Sequence, residues 1–311
     1  PMVNVLAKTS LTKTVHIPEL DESVCRLGFG CSSIMGRVGR RASLDALARA
    51  FEGGVTYFDV ARSYGYGRAE KVVGEFLRGR RDQCVVATKV GIEPSLPSYA
   101  TGVLLPLVRS MAAWTPRIRA LSARRSERLS GVSKGHFDPQ FFRRSLDTSL
   151  SELGTDYVDI LLLHEVAEED LQSEELVRLL QATVESGRAR AIGIATGPSQ
   201  SLRILDRTDE ILAVQVPSHM GEACPPSLVE KAPFLLTHTA MGLDEAGRAQ
   251  LVATLDRFPD LAEQFRQEGL FDASERVALP ELLLAWALVS NPAGITLCGM
   301  IKPEHVASNL S

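Results

Sequence analysis

Four side chains that can transfer protons lie at or just beyond the ends of strand-like stretches of this chain. The apolar stretch Val55–Asp59 ends in a carboxylate, and Tyr64 follows it in a glycine-rich turn. The stretches Val85–Lys89 and Tyr157–His164 end in an ammonium and an imidazole. A carboxylate at the end of a buried strand is costly unless it has a partner. Each residue alone could be a turn cap or a loop side chain, but their succession on strand ends favours one functional set.

The chemistry that this set could support is proton transfer at a carbonyl oxygen. A tyrosine has a pKa of about 10 and is a poor acid at neutral pH unless its surroundings tune it. We expect Lys89 to lower the pKa of Tyr64 and Asp59 to pair with Lys89. His164 would donate a hydrogen bond to the substrate oxygen, and Tyr64 would give or take the proton. Such a set suits carbonyl reduction or alcohol oxidation with hydride from a cofactor.

Eight strand-like stretches alternate with helical patterns and would position these residues. They are Cys25–Gly30, Val55–Asp59, Val85–Lys89, Tyr157–His164, Ala189–Ala195, Ile211–Val216, Phe234–Thr239 and Ile295–Gly299. Several are continuously apolar, as parallel strands covered on both faces are. In 311 residues, eight βα units predict an α/β fold, a closed (β/α)8 TIM barrel whose strand C-termini meet on one face. A doubly wound sheet is the alternative, but only two of its three fingerprint glycines follow the first stretch.

Capping signals predict where two of the helices begin. Ser43 is expected to cap a helix that runs to about Glu52. Asp138 followed by Pro139 predicts an N-cap with proline in the first helical position, and Gly154 predicts the end of that helix.

Two segments interrupt the alternation within what we interpret as one barrel domain over residues 1–311. Thr12–Ile17 and the turn Pro18–Ser23 predict an N-terminal β-hairpin that plugs the barrel bottom. The connection 91–137 after the third strand is long and rich in proline and arginine. A connection of this length is usually functional or disordered. We expect a substrate lid there, and a solvated or disordered basic loop is the alternative.

Composition restricts the class of function. The net charge of −4 carries no strong basic bias, so it gives no support for binding nucleic acid or a membrane surface. No apolar run reaches the roughly 18–20 residues needed to span a bilayer. The five cysteines are odd in number and lack metal-type spacing, so we predict no metal site and reduced thiols in the cytoplasm. A small molecule is the expected partner, and the oligomeric state is left open.

The longest motif of the chain runs from Tyr57 to Gly65 as YFDVARSYG and continues from Ala69 to Leu77 as AEKVVGEFL. This motif resembles the aldo-keto reductase family. Further matches are 87–90 and 153–164, and weaker ones are 191–195, 214–216 and 302–310. The resemblance implies a (β/α)8 barrel, the cofactor NADP(H), with NAD(H) possible, and a tyrosine as proton donor. The family's catalytic four match Asp59, Tyr64, Lys89 and His164 position by position.

The resemblance also implies where the dinucleotide would bind. The implied positions are Gly30, Ala195, Thr196, Gln215, Ser218, Lys302, His305 and Asn309. Ala195 and Thr196 stand where the family usually has Ser-Asn. Ser218 stands where a tyrosine usually stacks on the nicotinamide, and His219 is the nearest ring. The C-terminal group differs as well: Lys302 offers the 2′-phosphate a point charge, His305 replaces an arginine or glutamine, and Asn309 is kept for the adenine.

Three hypotheses about function follow. The first is an NAD(P)(H)-dependent oxidoreductase that interconverts an aldehyde or ketone and an alcohol. The second is a similar barrel that has lost the dinucleotide and catalyses a cofactor-free proton transfer, such as dehydration or cyclisation, and the altered cofactor positions motivate it. The third, a non-enzymatic regulatory subunit, is disfavoured because an intact proton-transfer set would have no purpose there.

Overall fold

A closed barrel of parallel strands is the centre of the computed structural model, which describes residues 14–94, 135–267 and 278–310. The described strands are β1 (Thr14–Ile17), β2 (Glu22–Cys25), β3 (Leu27–Gly30), β4 (Tyr57–Asp59), β5 (Val85–Val90), β6 (Val158–His164), β7 (Ala189–Ala195), β8 (Ala213–Pro217), β9 (Phe234–His238) and β10 (Ile295–Cys298). Strands β3 to β10 follow one another around the barrel, and β10 pairs with both β9 and β3. The predicted TIM barrel is therefore confirmed, and the doubly wound alternative is wrong.

Helices cover the outside of the barrel. In the described ranges they are α1 (Arg40–Glu52), α2 (Ala69–Leu77), α3 (Pro139–Leu153), α4 (Glu174–Glu185), α5 (Pro198–Leu205), α6 (Pro226–Lys231), α7 (Glu245–Arg257), α8 (Pro259–Gln267), α9 (Leu279–Ser290) and α10 (Pro303–Leu310). No helix in these ranges is both long and apolar enough to cross a membrane.

The two capping predictions had different outcomes. The Asp138 carboxylate accepts the backbone N–H groups of Gln140 and Phe141 at 3.1 and 2.9 Å, and Gly154 ends α3 in a left-handed conformation with φ of 65°. The prediction for Ser43 was wrong, because α1 begins at Arg40 with Gly39 as its N-cap. The Ser43 hydroxyl lies inside the helix and donates to the carbonyl oxygen of Gly39 at 3.0 Å.

Alternate residues of each strand face the barrel interior, and this alternation positions the site. The interior apolar cluster contains Tyr57, Val85, Ala87, Ile160, Leu162 and Leu236. Their strand neighbours Phe58, Val86, Leu161 and Leu163 belong to the cluster between barrel and helices. Because side chains alternate with a period of two, the inward set continues at Asp59, Lys89 and His164, near the C-terminal ends of their strands.

The hairpin of β1 and β2 plugs the opposite end of the barrel, as predicted. The two strands pair antiparallel from Thr14 with Cys25 to Ile17 with Glu22. Ile17, Leu20 and Val24 are buried in the interior cluster, against residues that begin the barrel strands.

A buried carboxylate connects the hairpin to the barrel. The Arg190 guanidinium lies 2.9 Å from Glu22 of the hairpin and 2.9 Å from Asp159 of β6. Asp159 also accepts from Arg81 and from the backbone N–H of Val86, each at 2.8 Å. These contacts stabilise the closed bottom of the barrel.

Most of the predicted lid over 91–137 lies outside the described residues, and it stays a prediction. The two ends of the connection are described, and they meet where the backbone N–H of His136 donates to the carbonyl oxygen of Gly91 at 2.7 Å. The assignment of residues 1–311 to one domain likewise includes stretches outside the described ranges and stays a prediction.

Candidate active site

The predicted proton-transfer residues meet at the C-terminal mouth of the barrel. Asp59 ends β4, Tyr64 begins a short 3-10 turn after it, and His164 ends β6. These three side chains line one open cavity of about 650 Å³. Lys89, on the strand between β4 and β6, lies buried beneath it. Parallel barrels place reactive groups on this face because all strand C-termini converge there.

Lys89 and Asp59 form a buried ion pair. The Lys89 Nζ donates to Asp59 Oδ1 at 2.5 Å and to the carbonyl oxygen of Val60 at 3.2 Å. The Gln215 amide donates to the same carboxylate oxygen at 2.9 Å. Burial lowers the pKa of Lys89, but the charge of Asp59, the influence of Tyr64 and the hydrogen bonds to both together outweigh burial, so the net pKa is raised. The ammonium is therefore fixed in both position and charge.

Tyr64 lies beside this ammonium, with the Lys89 Nζ 5.0 Å from the centre of its ring. Burial raises the pKa of Tyr64 and the charge of Lys89 lowers it, and burial prevails. Lys89 lowers the pKa of Tyr64 as expected, but desolvation of the phenolate is the larger effect. At neutral pH Tyr64 is a protonated donor whose conjugate base would form beside a cation.

The neutral imidazole of His164 faces the same cavity. Burial, with the nearby charges of Lys89 and His238, lowers the pKa of His164 to about 3. At physiological pH it can donate one ring N–H without carrying a charge.

A second histidine, His238, lines the cavity and was missed by the sequence analysis. It ends β9 with the inward parity of Phe234 and Leu236, so the alternation that placed Asp59 could have found it. Burial lowers its pKa, and its Nδ1 lies 2.6 Å from the hydroxyl of Thr239. The cavity thus has neutral imidazoles on β6 and β9, two strands that are not neighbours in the barrel.

Comparison with known proteins places this geometry in a family. The model of the Aldo/keto reductase family matches residues 26–231 of the chain, which is more than half of its length. The chain belongs to this family. Both the resemblance predicted from the motifs and the class of oxidoreductase are therefore confirmed.

Relatives of this aldo/keto reductase match it over nearly the whole chain. The aldo-keto reductase yakc of Schizosaccharomyces pombe, whose name carries NADP(+), is 26% identical over 93% of this chain and 84% of its own length. The NADH-specific methylglyoxal reductase of Escherichia coli K12 is 22% identical over 96% of this chain and 93% of its own.

Solved structures share the fold at low identity. An aldo-keto reductase from Bacillus halodurans in its holo form has a TM-score of 0.68 at 18% identity and covers 96% of this chain and 89% of its own. An aldo-keto reductase from Klebsiella pneumoniae in complex with NADPH has a TM-score of 0.65 at 21% identity, with the same coverage. At this identity the likeness supports the barrel fold.

Four of the eight predicted cofactor positions line the cavity, and the other four are outside its described lining. The four that line it are Gly30, Ala195, Thr196 and Gln215. Ser218 is not among the described residues that line it, and its buried hydroxyl accepts the backbone N–H of Cys224 at 3.0 Å. The His219 ring accepts the backbone N–H of Gly221 in the same loop at 3.2 Å and is likewise outside the described lining of the cavity. The ring of His238, at the end of β9, does line the cavity. The cofactor roles expected for Ser218 and His219 stay predictions.

The three C-terminal positions lie at the last helix, beside the cavity rather than on its wall. Lys302 precedes α10, and its Nζ lies 3.8 Å from Glu304 on the surface. His305 is exposed on the first turn of α10. The Asn309 amide lies 3.7 Å from the sulfur of Cys298, which does line the cavity. Lys302 and Asn309, the residues predicted to contact the 2′-phosphate and the adenine of a dinucleotide, are thus close to the turn that follows β10.

Proposed function

We propose that this aldo/keto reductase interconverts an aldehyde or ketone and the corresponding alcohol, with NADP(H) as the hydride carrier. The observation that supports it most is the position of Tyr64, a protonated phenol lining the cavity, 5.0 Å from the ammonium of the buried Lys89–Asp59 pair. A proton donor beside a fixed cation is the arrangement that carbonyl reduction needs, because negative charge develops on the carbonyl oxygen and then on the donor.

Each side chain has a distinct role in the reducing direction. His164 donates its ring N–H to the carbonyl oxygen, and Tyr64 transfers its hydroxyl proton to that oxygen as the carbonyl carbon is reduced. Lys89 stabilises the tyrosinate that remains. Asp59 keeps Lys89 charged and in place. A bound nicotinamide would supply the hydride to the carbonyl carbon.

The cavity fits a dinucleotide. Its volume of about 650 Å³ is within the range of cofactor sites. Its wall includes the turns after β9 and β10, the place where barrels commonly hold phosphate. Thr196 and Gln215 would contact the nicotinamide half, and Lys302 would supply charge for the 2′-phosphate.

The relatives also support the choice of cofactor. The name of the Schizosaccharomyces pombe protein includes NADP(+), and the Klebsiella pneumoniae structure is a complex with NADPH. The name of the Escherichia coli relative specifies NADH, so NAD(H) is the alternative cofactor to test. The alternative of cofactor-free proton transfer draws no support from these relatives.

Substitution of Tyr64 tests the proposal. Tyr64→Phe should lower kcat with NADPH on a panel of aldehydes, ketones and methylglyoxal by about 10²- to 10⁴-fold, the usual contribution of a general acid. The Kd for NADPH should stay near that of the wild type. Tyr66→Phe is the matched control, because Tyr66 shares the turn and is outside the described lining of the cavity. Full turnover in Tyr64→Phe, or a wild type that binds neither NADPH nor NADH, would refute the proposal.

A further inference from the structure

A second buried carboxylate lies behind the barrel wall, and the chemistry above does not use it. Glu70 is in the first turn of α2 and is 1% exposed. Its Oε1 accepts the hydroxyl of Thr88 at 2.6 Å, and its Oε2 accepts Nη1 of Arg62 at 3.2 Å. Thr88 faces the helices because its neighbour Lys89 faces the barrel interior. Glu70 therefore lies on the opposite side of the barrel wall from the cavity.

One of these two partners of Glu70 is next to the residue that carries the ammonium, and the other is close in sequence to the proton donor. Thr88 immediately precedes Lys89 on β5. Arg62 lies in the segment between Asp59 and Tyr64, and its side chain is 17% exposed. Through these contacts one carboxylate fastens the segment that carries the proton donor to the strand that carries the ammonium. Hydrogen bonds to a charged group are stronger and geometrically stricter than neutral ones.

A role in stability alone does not explain a carboxylate at this position. Burial raises the pKa of Glu70, which means that desolvation disfavours its charged form, although hydrogen bonds from Thr88 and Ser149 and the charge of Arg62 offset part of this cost. Well-packed apolar side chains can often replace a buried ion pair without loss of stability. A carboxylate here adds directed bonds to specific neighbours, and those bonds fix geometry.

We propose that Glu70 is a positioning residue that holds Tyr64 within reach of the charge on Lys89. The inference rests on the proposed role of Tyr64 as proton donor. It has a consequence for the pH profile, because the charge of Lys89 lowers the pKa of Tyr64 while burial raises it. The titratable groups that act on Tyr64 are Lys89 from β5, Asp59 from β4 and Cys31 from the turn after β3. If Tyr64 moves away from Lys89, it loses its proton at a higher pH.

Two substitutions and two matched controls test this role. Glu70→Gln removes the charge that binds Arg62, and Thr88→Val removes only the hydroxyl that binds Glu70. Thr88→Ser keeps that hydroxyl. Glu75→Gln changes a glutamate on the same helix that pairs with Arg40 at the surface. For each variant, the kcat of carbonyl reduction is measured from neutral to strongly alkaline pH, together with the Kd for NADPH and the melting temperature.

The expected result separates positioning from stability. Glu70→Gln and Thr88→Val should lower kcat about tenfold, since small misplacements of a reacting group are costly. They should also move the alkaline loss of activity to higher pH and leave the Kd for NADPH within about twofold of the wild type. Both controls should match the wild type in all three measurements.

Each other outcome has a definite meaning. Variants that melt earlier but keep the kcat and alkaline limb of the wild type, at temperatures where they are folded, would overturn the inference. If Glu70→Gln does not fold, Thr88→Val decides the question, because it removes a single hydroxyl and keeps the volume. If Tyr64→Phe keeps full turnover, the proposed function fails. If Tyr64→Phe is inactive while the Glu70 and Thr88 variants behave as wild type, only this inference fails.

Discussion

Replacing Lys89 by methionine should destabilise the barrel by an amount that follows from its burial. The side chains of Lys89 and Asp59 are 1% and 4% exposed. Without the ammonium, Asp59 stays buried with the Gln215 amide donating to it. Breaking such a pair costs about 3–5 kcal/mol. With roughly 2.1 cal/mol/K of unfolding entropy per residue, a chain of 311 residues melts about 1.5 °C lower per kcal/mol. The expected loss is therefore about 5–8 °C.

The assay is a double-mutant cycle on melting temperature at neutral pH. Lys89→Met and Asp59→Asn each leave one buried charge without its partner and should each melt well below the wild type. The double variant leaves no charge and should recover most of the loss, because the penalty arises from the unpaired ion and not from the missing attraction. None of the three should reduce a carbonyl. A Lys89→Met protein within about 2 °C of the wild type, or a double variant as unstable as the two losses combined, would refute the reasoning.

Two further predictions concern the loss of stability at acidic pH and the closed end of the barrel. The pKa of His164 is about 3 in the folded chain and 6.5 ordinarily. Between these values the unfolded chain binds a proton at this residue and the folded chain does not, so the free energy of unfolding falls as the pH decreases from 6.5. His164→Gln should flatten this part of the curve between pH 7.5 and 4, whereas parallel curves for the two proteins would contradict it. Asp159→Ala leaves Arg81 and Arg190 without the carboxylate that both contact and should cost about 3 kcal/mol in urea unfolding. The value of kcat/KM should stay within about twofold of the wild type, because Asp159 lies at the N-terminal end of the barrel, where residues serve stability and not catalysis. Lost turnover in a stable Asp159→Ala protein would contradict this prediction.

Local patterns predicted much of this architecture because they act within a few residues. The continuously apolar stretches indicated parallel strands, and Asp138 with Gly154 marked both ends of one helix. Because these stretches end in Asp59, Lys89 and His164, a parallel barrel then predicted that the three residues meet on one face. The four-residue set could therefore be assembled from the sequence, since a closed parallel barrel brings its strand ends together whatever the loops contain.

The parts that could not be predicted depend on the backbone conformation and the burial that the folded chain adopts. Ser43 is a good N-cap residue, yet Gly39 takes that position and Ser43 bonds back to it inside α1. The net pKa of Tyr64 depends on how deeply the folded chain buries it, which no local motif records. The family resemblance that placed Ser218 among the cofactor positions does not reveal that its hydroxyl accepts the backbone N–H of Cys224.

The bond from Thr88 to Glu70 joins elements whose pairing only the fold determines. No spacing rule in the sequence connects these two positions. For the same reason, the positioning role proposed for Glu70 could be inferred only after the structure placed α2 behind β5.

The hairpin at the base of the barrel also determines how molecules can exchange with the interior. Because Ile17, Leu20 and Val24 fill one end, the cavity lies at the strand C-termini, where Asp59, Tyr64 and His164 line it. In the part of the chain that the structure describes, the hairpin blocks exchange through the other end of the barrel, so two ligands that share the cavity would both enter and leave on the side of the strand C-termini.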